Sequence, residues 1–310
     1  MNNRSPVEDR VWAVIAHLSA IAMGMGLILP IIGWSESRRK SNYTSFQSLQ
    51  ALGYQSLGYT IWILVTLIVV IITSFTAVAS ITTIDNLDQE IMAIVIAHTT
   101  LMFGLIGVYF LLPIIGALTC AFGKDFRYPI MGNRLAKYLG YDDSQSIEEP
   151  AWLDEEHEER WVSSMGHFAV IILFWGMLAP VTAWIMQGNR SAFLKFQSVQ
   201  AVVFQAGTLV LSMVSGILYF GGAAILFLSI GVSGFSNDLS PISLLGIVVF
   251  FGSMLCAAVI ILLIPLLHIM GQWAGYRILK GDDYRYPIAG RLVEKWTSRK
   301  SNPQLEETSQ

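Results

Sequence analysis

The sequence predicts an all-α, polytopic membrane protein of two tandem repeats, each a re-entrant helical hairpin followed by two long transmembrane helices. Three observations predict it: long stretches without charge, a motif order that occurs twice, and a one-sided distribution of lysine and arginine. Residues 51–84, 91–123, 161–189, 196–237 and 239–276 contain no Asp, Glu, Lys or Arg. About 20 apolar residues suffice to cross a hydrocarbon core of roughly 30 Å, and each run is long enough. Only 13% of the chain is charged, where a soluble domain carries about 25%.

The duplication comes next. His17, Pro30 and Trp34 recur as His167, Pro180 and Trp184. Phe46-Gln47-Ser48, Gln50-Ala51 and Gln55 recur as Phe196-Gln197-Ser198, Gln200-Ala201 and Gln205. Towards the end of each copy, the stretch from Gly123 to Gly132 matches that from Gly281 to Gly290, with Arg-Tyr-Pro-Ile in both. The spacing between copies widens along the chain, which places a short insertion near Gly234 to Pro241, where turn-forming residues cluster. This divides the chain into a first membrane repeat with a trailing amphipathic segment (1–141), an acidic linker (142–159), a second repeat with its own trailing segment (160–300) and a polar tail (301–310). The linker holds nine acidic residues and no Lys or Arg, and such a block reads as solvated. Arg4, Arg10 and Ala20-Ile21-Ala22 resemble a signal peptide, but the matching internal segment at 161–184 favours mature structure.

Charge then sets the topology. Three straight crossings per repeat would split the 19 Lys and Arg eight to eleven, with no bias. If residues 11–34 and 161–187 each enter and leave on one side, all 19 fall together and the opposite loops keep only Asp85, Asp88, Glu90 and Asp238. The positive-inside rule makes the basic face cytoplasmic, with both termini there and the protein a multi-pass component of the cytoplasmic (inner) membrane. Gly24, Gly26, Pro30, Gly176 and Pro180 supply breakers for the two hairpins. Trp12, Trp34, Trp161 and Trp184 are expected to anchor the hairpin feet in the interface. A hairpin turn inside a bilayer must pack against protein, because its free backbone groups find no partner in lipid.

Candidate sites are few. His17 and His167 occupy equivalent places on the first hairpin arm, and an intramembrane ionisable group is a functional hypothesis by default. A proton relay, a ligand role and a hydrogen bond to the hairpin backbone all stay open, the last preferred. Gln50, Gln55, Gln200 and Gln205 mark the start of a long helix. They line a polar path or, more commonly for such residues, bond across helices. Arg127, Arg134, Lys137, Arg285, Arg291 and Lys295 follow the Arg-Tyr-Pro turns on amphipathic segments and are expected to meet lipid headgroups. The glycines between Gly207 and Gly234 read as packing residues. Cys120 and Cys256 read as small buried residues, with no disulfide or metal spacing. No catalytic motif is present. No enzyme activity, metal or other cofactor is expected, and the absence of a basic cluster interleaved with aromatics argues against nucleic acid. The lipid bilayer is the expected partner, with a membrane protein as a second.

Trp12-Ala-Val-Ile-Ala-His17-Leu-Ser, Pro30, Trp34, the Phe46, Gln50, Ala51, Tyr54, Gln55 series and the two Arg-Tyr-Pro-Ile endings resemble a bacterial membrane domain of unknown function (family 4870). That domain is distantly similar to the twenty-kilodalton subunit of the chloroplast inner-envelope translocon. The chain departs from its pattern at Thr44, Ser45 and Phe46, at Phe193, Leu194 and Lys195, and at Gly166-His167-Phe168. The resemblance implies the duplicated fold. It also motivates a non-enzymatic scaffold or translocation-type component, with a small-solute or ion transporter as the alternative and a haem- or metal-binding membrane protein as a third reading.

Overall fold

The structure, a computed structural model, describes residues 5–81, 87–141, 152–233 and 240–300. The middle of the acidic linker, most of the expected insertion and the polar tail lie outside the described residues. So do Asp85 and Asp238. The first unit contains α1 (Val7–Leu18), a 3₁₀ stretch (Ser19–Leu27), α2 (Ile28–Ser37), α3 (Asn42–Ile81), α4 (Leu87–Ala121) and α5 (Met131–Leu139). The second repeats that order as α6 (Glu155–Phe168), a 3₁₀ stretch (Ala169–Met177), α7 (Leu178–Gln187), α8 (Ala192–Ser233), α9 (Pro241–Leu279) and α10 (Ala289–Lys300). All described regular structure is helical.

Six stretches are long and apolar enough to cross a membrane: Val7–Ser37, Asn42–Ala79, Ile91–Ala121, Glu155–Gln187, Ala192–Ser233 and Pro241–Leu279. The most apolar window of Asn42–Ala79 buries none of its residues within the protein. Such a surface is stable only against lipid. The chain is a multi-pass membrane protein in contact with the bilayer.

Length and composition count Val7–Ser37 and Glu155–Gln187 as one span each, but both are broken in the middle. Met23 has φ 53° and ψ −135°, and Leu173 has φ 51° and ψ −127°. These are the dihedrals of the first corner of a type II′ turn, a glycine conformation. Beyond the corner the chain comes back on itself. A Cβ at Gly33 would lie 3.5 Å from the Trp12 ring, whereas a straight helix would separate those residues by about 31 Å. In the second unit a Cβ at Gly166 would lie 3.3 Å from Pro180, against about 21 Å for a straight helix. Gly26 and Gly176 are required at the corner, because a side chain there would overlap the carbonyl oxygens of Ser19 and Ala169.

The two units share one core. Leu27, Ile31, Trp34, Phe46, Leu49 and Leu52 of the first pack with Trp161, Val162, Met165, Phe168, Ala179 and Leu194 of the second. Helix α5 inserts Leu135, Ala136 and Leu139 into the same core, so its apolar face is covered by protein. The tryptophans differ from expectation here. Trp34 and Trp161 are buried between units, while Trp184 is exposed. Trp161 Nε1 donates to the Leu49 carbonyl at 2.9 Å, and Trp34 Nε1 donates to Glu158 at 3.2 Å.

Charge also crosses the seam. Arg38 is 6% exposed and meets Glu155, Glu158 and Glu159 at 3.0 to 3.1 Å. Glu155 to Glu159 were expected in a solvated linker. They instead open α6, capped by Asp154, which accepts from His157 N at 3.0 Å. Acidic residues at a helix N-terminus suit its dipole, and the buried guanidinium gives Glu158 a partner. Cys120 is buried, as its apolar run suggests, but Cys256 is exposed on α9.

Candidate functional site

The histidines organise two matching polar clusters near the basic end of each unit. His17 sits in the last turn of α1. Its Nε2 lies 2.9 Å from Gln47 Oε1 and its Nδ1 3.0 Å from the Tyr128 hydroxyl. Gln47 Nε2 donates to Asp125 Oδ1 at 2.7 Å and to the Phe126 carbonyl at 3.1 Å. The neighbouring Gln50 closes the arrangement. Its Nε2 donates to Gln47 Oε1 and the Phe126 carbonyl, and its Oε1 accepts from Tyr128 N.

The second cluster repeats the first atom for atom. His167 Nε2 lies 3.3 Å from Gln197 Oε1, and Nδ1 lies 3.0 Å from the Tyr286 hydroxyl. Gln197 Nε2 donates to Asp283 at 2.7 Å. Gln200 donates to Gln197 and to the Tyr284 carbonyl and accepts from Tyr286 N. Each amide Nε2 is committed to a carboxylate or carbonyl, so its oxygen must face the imidazole. That assigns the ring proton to Nε2 and leaves Nδ1 to accept from the tyrosine. Burial holds the Tyr128 and Tyr286 phenols well above their ordinary pKa, which keeps both as donors.

Local sequence makes this geometry. Gly123 (φ 74°) and Gly281 (φ 98°) end α4 and α9 in a conformation few other residues adopt, and the chain turns back as an extended segment. Gly132 and Gly290 leave room for the Gln50 and Gln200 amides, which a Cβ would meet at 2.6 and 2.7 Å. Gly116 on α4 does the same for the rings of His17 and Phe126. Stacking fixes each tyrosine: Tyr54 lies 4.2 Å from Tyr128, and Phe204 3.9 Å from Tyr286, with planes nearly parallel.

The remaining predicted residues divide. Gln55 belongs to the hairpin, donating to Ser19 Oγ at 2.9 Å, and Gln205 donates to the Gly166 carbonyl at 2.7 Å. Both amide oxygens lack a hydrogen-bond partner and lie against the glycines of the turn. Arg127 pairs with Asp125 at 3.0 Å and Arg285 with Asp283 at 3.1 Å, so these cations hold the carboxylates of the clusters. Arg134, Lys137 and Arg291 lie exposed on α5 and α10, and Lys295 is on α10. Gln47, Gln197, Asp125, Asp283, Tyr128 and Tyr286 are site residues that the sequence alone does not single out as candidates. Each lies inside a motif that occurs twice, and that repetition was the available signal.

Chemically, each cluster joins an apolar-buried imidazole to a carboxylate nearer the surface through one amide. The tyrosine ends the chain against aromatic rings. Most donors meet acceptors on a different element, so the cluster ties the first hairpin arm, the long helix and the segment after α4 or α9 together. Among the described residues no group of three His, Cys, Asp or Glu is placed to hold a metal ion.

The sequence model of a magnetosome magnetite crystal formation protein family matches residues 8–135 and again 158–293. The chain belongs to that family. The match runs from α1 into α5 and from α6 into α10, one family segment per structural unit. No curated protein and no solved structure matches the chain. Family membership corrects two expectations. The assignment to a domain of unknown function with a distant translocon relative falls, because both units match the magnetosome family. The scaffold or translocation reading falls with it, as do its transporter and haem or metal alternatives. The physical reason is visible in the clusters. The motifs behind that resemblance, histidine, glutamines and Arg-Tyr-Pro, hold the hairpin to the long helices. They are signals of fold and carry no information about cargo.

Proposed function

We propose that this chain acts in the magnetosome membrane in the formation of magnetite crystals, without catalytic chemistry of its own. The observation that carries the reading is the double match to the magnetosome family, one segment on each unit. The internal satisfaction of both His-Gln-Asp clusters supports the non-catalytic part, since their reactive groups are spent on each other.

In the membrane, the hairpins are re-entrant and the two long helices of each unit cross. Hairpin arms of 12 and 10 residues extend only about 18 and 15 Å, too short for a core of roughly 30 Å. With that placement all 19 Lys and Arg lie on the cytoplasmic face, as do both termini.

The test uses a magnetite-forming cell that carries this gene. A tagged chain should co-purify with magnetosome membranes, and its deletion should change crystal size or number in electron micrographs, restored by the intact chain. Crystals unchanged by deletion, with the tag confined to the cell membrane, would overturn the assignment. Cysteine labels placed at positions 36, 145 and 190 should react from the cytoplasm, and labels at 86 and 238 should not. The reverse pattern defeats the orientation.

A further inference from the structure

Beyond the family role, the structure assigns a binding site for one anionic phospholipid, in a groove between the two units. A cavity of about 740 Å³ opens between α3, α5, α6 and the end of α9, within the roughly 300–1,000 Å³ usual for small-molecule sites. Its walls are apolar, including Tyr54, Ile61, Leu112 and Trp161, and it also carries Arg134 and Lys280. Both cations are exposed, and neither has a carboxylate partner among the described residues. Ile61 and a further lining residue, Ile130, are 62% and 79% exposed, so the groove is continuous with the lipid-facing surface. The Tyr138 hydroxyl, also on the lining, lacks a hydrogen-bond partner. An apolar slot in a membrane protein, open to the bilayer and edged by two cations without a carboxylate partner, Lys280 over the Tyr276 ring, complements an acyl chain ending in a negative headgroup.

The duplication sharpens the argument. By the spacing that aligns the two Arg-Tyr-Pro motifs, Arg134 corresponds to Leu292 and Lys280 to Phe122. Each cation therefore occurs in one copy only, and the fold brings the two together at the seam. Neither is explained by the repeated clusters, which use Arg127 and Arg285 instead.

The experiment is native mass spectrometry of the full chain in mild detergent, with phosphatidylglycerol, phosphatidylcholine or inorganic phosphate added. One phosphatidylglycerol per chain should be retained, and phosphatidylcholine should not. The double variant Arg134→Gln with Lys280→Gln should bind phosphatidylglycerol about 30-fold more weakly, at about 1 kcal/mol per basic residue near a lipid surface. Ile61→Trp, which narrows the groove and leaves both cations, should also lower retention. Arg190→Gln with Lys195→Gln, basic residues away from the groove, should leave it unchanged. Equal retention by wild type and the Arg134/Lys280 variant overturns the site. So does equal binding of phosphatidylcholine, or displacement of the lipid by inorganic phosphate, which would mark a site for a free anion.

Discussion

The two units agree at their basic end and part company along their long helices. In the second unit α8 and α9 pack closely through small residues: a Cβ at Gly222 would overlap Ser253, one at Gly246 would overlap Ser229, and Ser215 Oγ donates to the Ala257 carbonyl at 3.3 Å. In the first unit α3 and α4 meet chiefly through Tyr109, which accepts from the Tyr54 hydroxyl at 2.7 Å and lies 5.7 Å from the Tyr59 ring, and through Thr73 and His98 at 3.3 Å. A Cβ at Gly104 or Gly107 would meet nothing within 4 Å. Lipid offers no hydrophobic gain for bringing helices together, so association rests on close backbone approach and hydrogen bonds. Among the described residues the second pair has more small residues placed for it, while the first has Gly58 against Tyr109. The clusters, by contrast, are the same in both copies and hold the hairpin on in each, whatever the long helices do.

The largest break in the shared part should come from Gly26→Ala and Gly176→Ala. Each adds a Cβ onto a backbone carbonyl that cannot swing aside. A loss of about 3 kcal/mol is expected for each, read as a fall in the thermal melting temperature in detergent, and similar in the two units. A tolerated alanine at either position would mean the corner is not as tight as described.

Gln47→Ala and Gln197→Ala should separate the copies. Both strand an imidazole N–H, at a cost of about 1–3 kcal/mol for an unmet buried group, and take one donor from a carboxylate that keeps its arginine. The first should cost more, because Asp125 is 17% exposed and Asp283 50%, so water rescues only the second. Equal losses in the melting curves would show that the carboxylates contribute little.

Gly222→Leu should destabilise by about 1–3 kcal/mol through overpacking, while Gly104→Leu should be neutral. Protease sensitivity of the connection between α8 and α9 would rise in the first variant only. The smallest expected effect is a gain. Met23→Gly and Leu173→Gly relieve a positive φ, so each should stabilise by about 1 kcal/mol, offset in part by the freer unfolded chain. A loss would imply that these side chains are needed for packing at the tip.

Much of this was legible in the residues. The charge count alone argued that residues 11–34 double back, and Gly26 and Gly176 lie at the corner. Repetition flagged His17, His167, Gln50 and Gln200. It flagged Gln47 and Gln197 as well, but a glutamine three residues from another carries no sign of which one reaches a histidine. Asp125 and Asp283 join those glutamines from 78 and 86 residues away, a distance no local pattern spans. The interfacial tryptophans went wrong for a related reason. An aromatic at the end of an apolar run looks the same whether lipid or a second unit covers it, and Trp34 and Trp161 are covered by the partner unit. Glu158, drawn into a helix under Arg38, shows the same blindness for charge.

That last contact gives the seam a direction. Arg38 corresponds to Gly188 and Glu158 to Glu8 in the other copy, so the lock exists in one direction only. A half released alone would expose either a stranded guanidinium or the acids that meet it, together with a strip of bare tryptophan. The two units are a left and a right piece, and neither carries the side chains to fill the other's place at the seam.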